Sequence, residues 1–547
     1  MQYFLPLEKL YHWEKNTPNN IYLHQPINGI YQEYSWLQVG IEVRKMAAYL
    51  ASLQLPKESK IGILSKNCAH WIIADLAIMM AGYVSVPLYP NLSADSINQI
   101  LLHSDTKVLF VGKLDHFEAI KPGIPSNIRC ISFPYYEHKE YDNWKDLVKT
   151  IEPIKENIQR KPNDLATIIY TSGTTGTPKG VMHNFYSFGF ACTHALQLAG
   201  VGPESSFFSY LPLSHIAERL LVEMGSIYSG GTVFFAESME TFSKNLRQAK
   251  PTIFLAVPRI WAKFQEEILK KIPQKKLSIL LNIPLVSSIV KNKIKKNLGL
   301  HKAKNIFTGA APMPVSLMQW FQKIGIPIQE AYAMTENCCY SHVTLNNQIK
   351  MGYVGKALPL CEVKLSETKE ILIKHEALTI GYYKDEEQTK QIFNHEGYFK
   401  TGDRGEIDSE GFLKITGRVK EIFKSSKGKY IAPSPIELKL LSSTTIEQVC
   451  VVGEGMPQPL ALVVLSAWAK KQNTNELELL LEATKQSINN TMDQHEAVQK
   501  IIVVKDDWTM DNGFLTPTLK IKRAIIEKQY SAYFEKWSSQ KESIIWE

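Results

Sequence analysis

The fold is decided by the stretch Tyr170-Thr-Ser-Gly-Thr-Thr-Gly-Thr-Pro-Lys179-Gly180. It follows the apolar run Leu165-Ala-Thr-Ile-Ile169, which predicts a buried strand. Glycines let a backbone approach phosphate oxygens closely, and amides and hydroxyls donate hydrogen bonds to them. A Walker loop ends in Gly-Lys-Ser/Thr, whereas this loop ends in Pro178-Lys179-Gly180. We therefore predict a phosphate-binding loop that is not the loop of a P-loop ATPase. Taken alone, the stretch also fits a Ser/Thr/Gly-rich surface turn.

Length and composition limit the class of protein. A chain of 547 residues is too long for one ordinary core, so two or more domains are expected. Its 44% hydrophobic and 21% charged residues are typical of a soluble globular protein. The net charge of +8 fits anionic small ligands or an acidic membrane surface and does not indicate a nucleic-acid partner.

The compartment is predicted from the cysteines and the apolar runs. The seven cysteines are odd in number and form no Cys-x-x-Cys pair, which favours a reducing cytoplasm over a zinc site or a disulfide framework. The N-terminal residues lack the pattern of a signal peptide. No uncharged run approaches the length of a membrane span, so we expect a cytoplasmic protein.

Strand-like and helix-like runs alternate along most of the chain. The apolar runs 61–64 and 84–88 flank a helical stretch at 71–80, and a third run follows at 107–111. This alternation predicts an α/β fold with a largely parallel sheet. Short strands separated by polar turns begin near residue 371, and the tail from about residue 420 could hold its own small α+β core.

One segment differs from the rest. Ten lysines between Lys270 and Lys304 bracket the apolar stretch Leu277–Val290, which Pro284 interrupts. One interpretation is a buried helix pair with a solvated lysine face. The other is a peripheral surface that rests on anionic lipid.

Several motifs in family order resemble those of the adenylate-forming enzymes, which are the acyl-CoA synthetases, luciferases and adenylation domains of peptide synthetases. Besides the phosphate loop, the resemblance rests on Thr308–Pro312, Gln329–Glu336, Tyr398–Asp403, Gly417–Lys424, Ser425–Pro433 and Leu515–Arg523. Two positions depart from the family pattern: Ala333 stands where glycine is usual, and so does Lys427.

The resemblance implies a function for each motif. Glu336 and Thr171 would hold Mg²⁺, since a hard cation prefers oxygen ligands. Asp403 would accept both ribose hydroxyls with Arg418 beside it, and Lys520 would bridge the substrate carboxylate and the α-phosphate. The residues implied to bind ATP or AMP are Thr171, Ser172, Gly173, Thr174, Thr175, Gly176, Lys179, Ala310, Glu330, Ala331, Tyr332, Thr335, Asp403, Arg418 and Lys424.

The resemblance also implies two domains that rotate between half-reactions. The expected boundaries are an N-terminal AMP-binding domain at 1–417, a hinge at 418–420 centred on Lys420, and a smaller mobile α+β domain at 421–547. Ser426, Gly428 and Tyr430 would border the coenzyme A channel.

Two sequence segments indicate which class of carboxylic acid is activated. Tyr210–Arg219 and Val257–Trp261 are similar to segments of the long-chain fatty acyl-CoA synthetases, and His215 resembles their gate residue at the carboxylate end of the acyl tunnel. The segment Val181–Asn184, which follows the phosphate loop, is shorter than the corresponding segment of the family. We therefore predict no functional role for His183.

The sequence therefore predicts an enzyme with Lys520, Thr171, Glu336 and His215 as catalytic residues. It would convert a long-chain fatty acid and ATP, with Mg²⁺, to acyl-AMP and pyrophosphate, and then transfer the acyl group to coenzyme A. The alternatives are an acyl-AMP ligase that loads a carrier protein and a catalytically silent lipid-binding protein on the same scaffold.

Overall fold

The computed structural model of the chain describes residues 3–172, 178–510, 512–516 and 518–547, with Ser172 described by its backbone only. Before the phosphate loop the strands are β1 (Ile21–Ile27), β2 (Ile30–Ser35), β3 (Lys60–Leu64), β4 (Val84–Leu88), β5 (Thr106–Val111), β6 (Arg129–Ser132), β7 (Asp142–Asn143) and β8 (Leu165–Ser172). The helices of this part are α1 (Pro6–Asn16), α2 (Trp36–Ser52), α3 (Ala69–Met80), α4 (Ala94–Ser104), α5 (Phe117–Ile120) and α6 (Trp144–Thr150).

The middle of the chain continues the alternation of strands and helices. Its strands are β9 (Pro178–Asn184), β10 (Ser206–Ser209), β11 (Thr232–Phe235), β12 (Ile253–Ala256), β13 (Asn305–Thr308), β14 (Gln329–Tyr332), β15 (His342–Val343) and β16 (Lys356–Ala357). Its helices are α7 (Phe185–Ala199), α8 (Ile216–Glu218), α9 (Gly225–Ser229), α10 (Phe242–Ala249), α11 (Pro258–Lys271), α12 (Gln274–Asn282), α13 (Pro284–Leu298) and α14 (Val315–Lys323). A π-helical segment, Arg219–Met224, joins α8 to α9.

The last part has shorter strands. They are β17 (Glu362–Leu365), β18 (Glu370–Lys374), β19 (Gly381–Tyr382), β20 (Phe399–Ile407), β21 (Leu413–Arg418), β22 (Phe423–Lys424), β23 (Tyr430–Ile431), β24 (Ile446–Val452), β25 (Leu460–Leu465), β26 (Lys500–Val503) and β27 (Ile544–Trp546). The helices are α15 (Glu386–Gln391), α16 (Pro433–Leu440), α17 (Thr474–Asn489), α18 (Arg523–Tyr530) and α19 (Phe534–Ser539).

Two large sheets form the N-terminal part. One has the order β16-β15-β14-β13-β12-β10-β11-β1-β2, and the other has the order β19-β9-β8-β4-β3-β5-β6-β7. Parallel pairs run from β8 to β7 and from β14 to β1, with antiparallel strands at the ends. The predicted α/β class is confirmed.

The apolar runs explain this arrangement. All five residues of β4 are buried, as expected for a parallel strand covered on both faces. Every residue of α3 is buried as well. Most of them are apolar, and the two polar residues are paired, His70 with Glu42 and Asp75 with Arg219. The structure differs from a strand–loop–helix at the phosphate loop, since β9 returns antiparallel to β8 as a hairpin.

The C-terminal strands form a sheet of their own. Its order is β24-β25-β26-β27, and buried apolar residues cover both faces: Val449, Val451 and Val463 belong to one cluster, and Cys450 and Val452 to the other. This supports the predicted small α+β core, while the exact domain boundaries stay predictions. In the described ranges, we find no helix that is both long and apolar enough to cross a bilayer.

Candidate active site

A cavity of about 3610 Å³ separates the large sheets from the C-terminal sheet. It opens beyond the carboxyl ends of β10, β12, β13 and β14, which is where open α/β sheets bind their ligands. The predicted site residues that line it are Thr171, Lys179, His215, Ala310, Glu330, Ala331, Tyr332, Thr335, Glu336, Asp403, Arg418, Lys420 and Lys520.

Some predicted residues lie elsewhere. Lys424, Ser426, Gly428 and Tyr430 belong to the β22–β23 hairpin and are exposed, so the structure does not bring Lys424 to the cavity as an ATP ligand. Its ammonium instead lies 5.8 Å from the ring centroid of Tyr430. The side chain of Ser172, together with Gly173, Thr174, Thr175 and Gly176, lies outside the described residues.

Asp403 is a buried carboxylate that two side chains hold. The pairing of β20 with β21 sets it opposite Arg418, whose Nε donates to Oδ1 at 2.9 Å. The Tyr332 hydroxyl donates to Oδ2 at 2.8 Å. The charge of Asp403 raises the pKa of Arg418, and burial followed by the same charge raises the pKa of Tyr332. Each carboxylate oxygen keeps a lone pair, so this group can accept both hydroxyls of a diol.

Glu336 lies in the 3₁₀ turn Thr335–Asn337 that follows β14. Its Oε1 accepts a hydrogen bond from the Tyr382 hydroxyl at 2.9 Å, and its carbonyl accepts one from the Thr379 N–H at 2.7 Å. Both Glu336 and Thr171 line the cavity. Among the described residues no three His, Cys, Asp or Glu side chains gather as a metal site. One carboxylate and one hydroxyl fit Mg²⁺ that takes its other ligands from phosphate and water.

His183, for which the sequence analysis predicts no role, binds the carbonyl of Thr335. It is buried in β9, and burial lowers its pKa to about 4. The neutral ring donates from Nε2 to the Thr335 carbonyl at 2.7 Å. The Thr335–Glu336 turn is therefore held from β9 as well as from residue 379. A single histidine gives no sequence signal of such a long-range contact.

His215 begins α8 and is neutral. Its Nδ1 accepts from the Ala217 N–H at 3.1 Å, so the proton is on Nε2. Burial, and then the charge of Lys520, lower the pKa of His215 to about 4. The ring also lies edge-on to Tyr89, with 6.5 Å between centroids. At neutral pH His215 can thus offer an N–H to an anion in the cavity.

Lys520 comes from the C-terminal part of the chain. Its side chain is exposed and lines the cavity. Desolvation, and then the charge of Arg418, lower the pKa of Lys520, whereas Asp403 and Glu336 act in the opposite direction. The lysine therefore lies close enough to Arg418, Asp403 and Glu336 for their charges to influence its own.

Part of the cavity lining is apolar, and we call this part the apolar branch. From α7 it includes Cys192, Ala195, Leu196 and Ala199, which occur at helical spacing. Its other members are Leu220, Leu221 and Gly225 of the π-helical segment and α9, and Ile253, Leu255 and Phe307 of β12 and β13. The α7 residues were missed from the sequence because an alternation of small and aliphatic residues is ordinary in a core helix.

A buried ion cluster supports the π-helical wall. Arg219 donates to Asp75 Oδ2 at 2.6 Å and to the Thr167 hydroxyl at 2.6 Å, and its Nε lies 3.3 Å from Glu223 Oε2. Arg219, Asp75 and Glu223 have no exposed surface. Burial and the neighbouring Asp75 raise the pKa of Glu223 well above its usual range. The single guanidinium of Arg219 thus lies between two buried carboxyl groups, those of Asp75 and Glu223.

Comparison with known proteins identifies the family. The family model described as "AMP-binding enzyme" matches residues 10–383, and the model of the AMP-binding enzyme C-terminal domain matches residues 421–542. The chain belongs to the AMP-binding enzymes. It is therefore an adenylate-forming, acyl-activating enzyme that uses ATP.

Similar proteins within this family cover nearly the whole chain. The chain is 26% identical to the long-chain-fatty-acid–CoA ligase FadD15 of Mycobacterium bovis, with 95% of each chain covered. It is 29% identical to long-chain-fatty-acid–CoA ligase 6 of Rattus norvegicus (92% of this chain, 82% of the relative). It is 30% identical to the peroxisomal long chain acyl-CoA synthetase 6 of Arabidopsis thaliana (91% and 80%).

Solved structures of AMP-binding enzymes share the fold. The adenylation domain of a carboxylate reductase from Mycobacterium chelonae superposes with a TM-score of 0.82 at 21% identity, covering 98% of this chain and 91% of that one. The anthranilate CoA ligase AuaEII, in complex with anthranoyl-AMP, gives 0.80 at 19% identity (97% and 98%).

Proposed function

We propose that the protein activates a long-chain fatty acid with ATP to acyl-AMP and pyrophosphate, and then transfers the acyl group to coenzyme A, giving acyl-CoA and AMP. The observation that carries the acyl part of this proposal is the apolar branch, which belongs to the same cavity that His215 lines. An alkyl chain has no hydrogen-bonding groups, so an aliphatic wall binds it without leaving a polar group unpaired. Each buried methylene contributes about 0.8 kcal/mol.

The first half-reaction brings two anions together. The substrate carboxylate would lie between the His215 Nε2–H and Lys520, and the α-phosphate would lie between Lys520 and Thr335. The ammonium offsets the repulsion between these anions and stabilises the charge that develops during attack. Asp403 would hold the ribose, which fixes the α-phosphate in line with the carboxylate. Glu336 and Thr171 would hold Mg²⁺, which when bound would neutralise negative charge on the pyrophosphate.

The second half-reaction needs a thiol to reach the acyl-adenylate. We propose that the C-terminal domain rotates about Lys420, in the 3₁₀ turn Val419–Glu421 directly after β21. Ser426, Gly428 and Tyr430 would then border the coenzyme A channel. Their exposure on the β22–β23 hairpin is compatible with a surface that meets its partner only after rotation.

The test of this function compares acceptors and acids directly. Purified protein is given ATP, Mg²⁺ and fatty acids of increasing length, with coenzyme A or an acyl carrier protein as acceptor. The proposal expects acyl-CoA with the highest kcat/KM for long acids. Transfer only to the carrier protein would identify an acyl-AMP ligase, and absence of ATP–pyrophosphate exchange would identify a silent lipid-binding protein.

Filling the apolar branch should shorten the acids that the enzyme accepts. Ala195→Trp places a large ring in the α7 wall, so we expect kcat/KM for hexadecanoate to fall by roughly 10–100-fold, the effect of losing a few buried methylenes. Hexanoate should be affected less than about threefold. Gln197→Trp is the matched control, because Gln197 is exposed on the same helix. If Ala195→Trp lowered kcat/KM equally for both acids, the proposal that the apolar branch binds the acyl chain would be wrong.

We also propose that the protein is cytoplasmic and that its α12–α13 hairpin rests on the inner surface of an anionic membrane. The structure leaves its apolar side chains exposed, with Ile279 at 64%, Leu285 at 84% and Ile289 at 67%. Leu285, Ile289, Lys293 and Lys296 are spaced so that they share one face of α13. Apolar residues beside basic ones match an acidic lipid surface, where fatty acids dissolve. The hairpin also adjoins the cavity, because the cavity-lining Trp320 donates to Gln274 at the start of α12.

Vesicle co-sedimentation tests this surface. We expect the wild-type protein to bind phosphatidylserine vesicles, to bind neutral vesicles less, and to dissociate as salt rises, since each surface lysine contributes roughly 1 kcal/mol within a Debye length. Leu285→Asp/Ile289→Asp and Lys293→Gln/Lys296→Gln should each reduce sedimentation. Leu479→Asp is the control, because Leu479 is 73% exposed but lies on α17. Equal sedimentation of all variants would leave the hairpin as an ordinary solvated surface.

A further inference from the structure

Tyr382 is a buried tyrosine that neither the motifs nor the proposed reaction uses. It lies in β19, which pairs with β9 at Val181, in the sheet that carries the phosphate loop. Its hydroxyl donates to Glu336 Oε1 at 2.9 Å, and its backbone N–H donates to the Thr389 hydroxyl at 2.9 Å. The side chain that reaches Glu336 is thus fixed at its own backbone.

The segment around Tyr382 holds Glu336 at two points. The Thr379 N–H donates to the Glu336 carbonyl at 2.7 Å, and the Thr379 hydroxyl donates to the Met182 carbonyl of β9 at 2.8 Å. Backbone and carboxylate of Glu336 are therefore both tied to the β9–β19 edge. The hydrogen bond on Oε1 gives the carboxylate plane a set direction, and within the described part of the chain no hydrogen bond is found on Oε2, the oxygen that would face a cation.

The ring of Tyr382 also meets the phosphate-loop lysine. The Lys179 ammonium lies 5.5 Å from the ring centroid, within the range of a cation–π contact. Tyr382 thus contacts both a carboxylate that suits a cation and a cation that suits a phosphate. Both partners line the cavity, as Tyr382 does.

We propose that Tyr382 is a positioning residue that orients Glu336 for the metal ion of the metal–ATP complex and holds Lys179 beside it. This inference rests on the proposed metal-binding role of Glu336. Hydrogen-bond partners of metal-ligating carboxylates set the direction of the ligand oxygen, and their loss typically costs 10–100-fold in metal affinity. The tyrosine touches neither reacting atom, so its loss should be recovered when the metal is saturating.

The experiment measures metal binding apart from turnover. Mn²⁺ replaces Mg²⁺, and its binding to the full-length protein with a non-hydrolysable ATP analogue is followed by electron paramagnetic resonance. Tyr382→Phe removes only the hydroxyl and keeps the ring beside Lys179. We expect its Mn²⁺ dissociation constant to rise by about 10-fold, while ATP–pyrophosphate exchange at saturating Mg²⁺ stays within about threefold of wild type. Tyr382→Leu, which also removes the ring, should in addition raise the KM for ATP.

Matched variants make each outcome decisive. Tyr383→Phe, the next residue, should leave the Mn²⁺ constant unchanged. Glu336→Gln should raise the constant at least as much as Tyr382→Phe. If Glu336→Gln does not raise it, the metal role of Glu336 is wrong, and the proposal for Tyr382 is overturned with it. If Glu336→Gln raises it and Tyr382→Phe does not, the positioning role alone is overturned. A Tyr382→Phe loss that is equal at limiting and saturating Mg²⁺ also overturns it.

Discussion

Lys520→Ala is expected to slow adenylate formation by about 10²–10³-fold, the usual effect of removing one group that stabilises transition-state charge. The variant should still convert supplied acyl-AMP and coenzyme A to thioester. Lys520 belongs to the C-terminal part of the chain and lines the cavity. There the charges of Arg418, Asp403 and Glu336 influence its pKa. The adenylate already contains the new bond, so the second half-reaction needs no bridge between carboxylate and phosphate. Each half-reaction is assayed alone, as pyrophosphate exchange and as thioester formation.

Lys420→Pro is expected to show the opposite pattern. Proline fixes φ in the turn Val419–Glu421, which obstructs rotation of the C-terminal domain without removing a side chain from the phosphate site. Lys420→Ala is the control, because it removes the same ammonium and leaves the backbone free, so its thioester formation should exceed that of the proline variant. If Lys520→Ala and Lys420→Pro lost both half-reactions equally, the two-conformation mechanism would be wrong.

Asp403→Ala should lower kcat/KM for ATP by about 10²–10⁴-fold, because two hydrogen bonds to a charged group are lost at about 1.5–3 kcal/mol each. The variant also leaves Arg418 without the carboxylate that it binds at 2.9 Å. The decisive readout is sugar discrimination. The wild type should prefer ATP over 2′-deoxy-ATP, and Asp403→Ala should lose most of that preference.

A carboxylate outside the cavity provides the comparison for this variant. Asp408, in the turn between β20 and β21, pairs with Lys350 at 2.6 Å. Asp408→Ala should keep both the rate and the preference for ATP. If Asp403→Ala retained full discrimination between the two sugars, the assignment of the ribose to this carboxylate would be refuted.

The sequence predicted the parts of the site that are written as contiguous motifs. Tyr332 ends β14 and Glu336 follows it, so both lie where the carboxyl end of that strand meets the cavity. Asp403 lies within β20 and reaches the same cavity together with Arg418, its partner at the end of β21. The alternation of apolar runs likewise predicted the parallel sheets, since buried parallel strands are apolar throughout. Contiguous motifs and apolar runs can be recognised in the sequence without knowing which strands are neighbours in the sheet.

The missed residues depend on pairing between distant strands. His183 meets Thr335 only because β9 folds back on β8, and Tyr382 meets Glu336 only because β19 adds to the same edge. Neither residue lies in a recognisable motif. Lys424 was predicted as an ATP ligand from its motif, but the turn of the β22–β23 hairpin directs it to the surface. Motif order alone does not tell which way a two-residue strand faces.

The π-helical segment Arg219–Met224 offers a simple way in which the apolar branch could change during evolution. A π turn holds one residue more than an α turn, so deleting a single codon there would restore α-helical winding. The π turn absorbs the extra residue, so the helix after it would keep its orientation, while the side chains within the turn would take new directions around the helix axis. Leu220 and Leu221, which belong to the turn and line the branch, would be among those that move. One in-frame deletion could therefore redraw substrate range in a descendant gene while the nucleotide site, built on other strands, stays as it is.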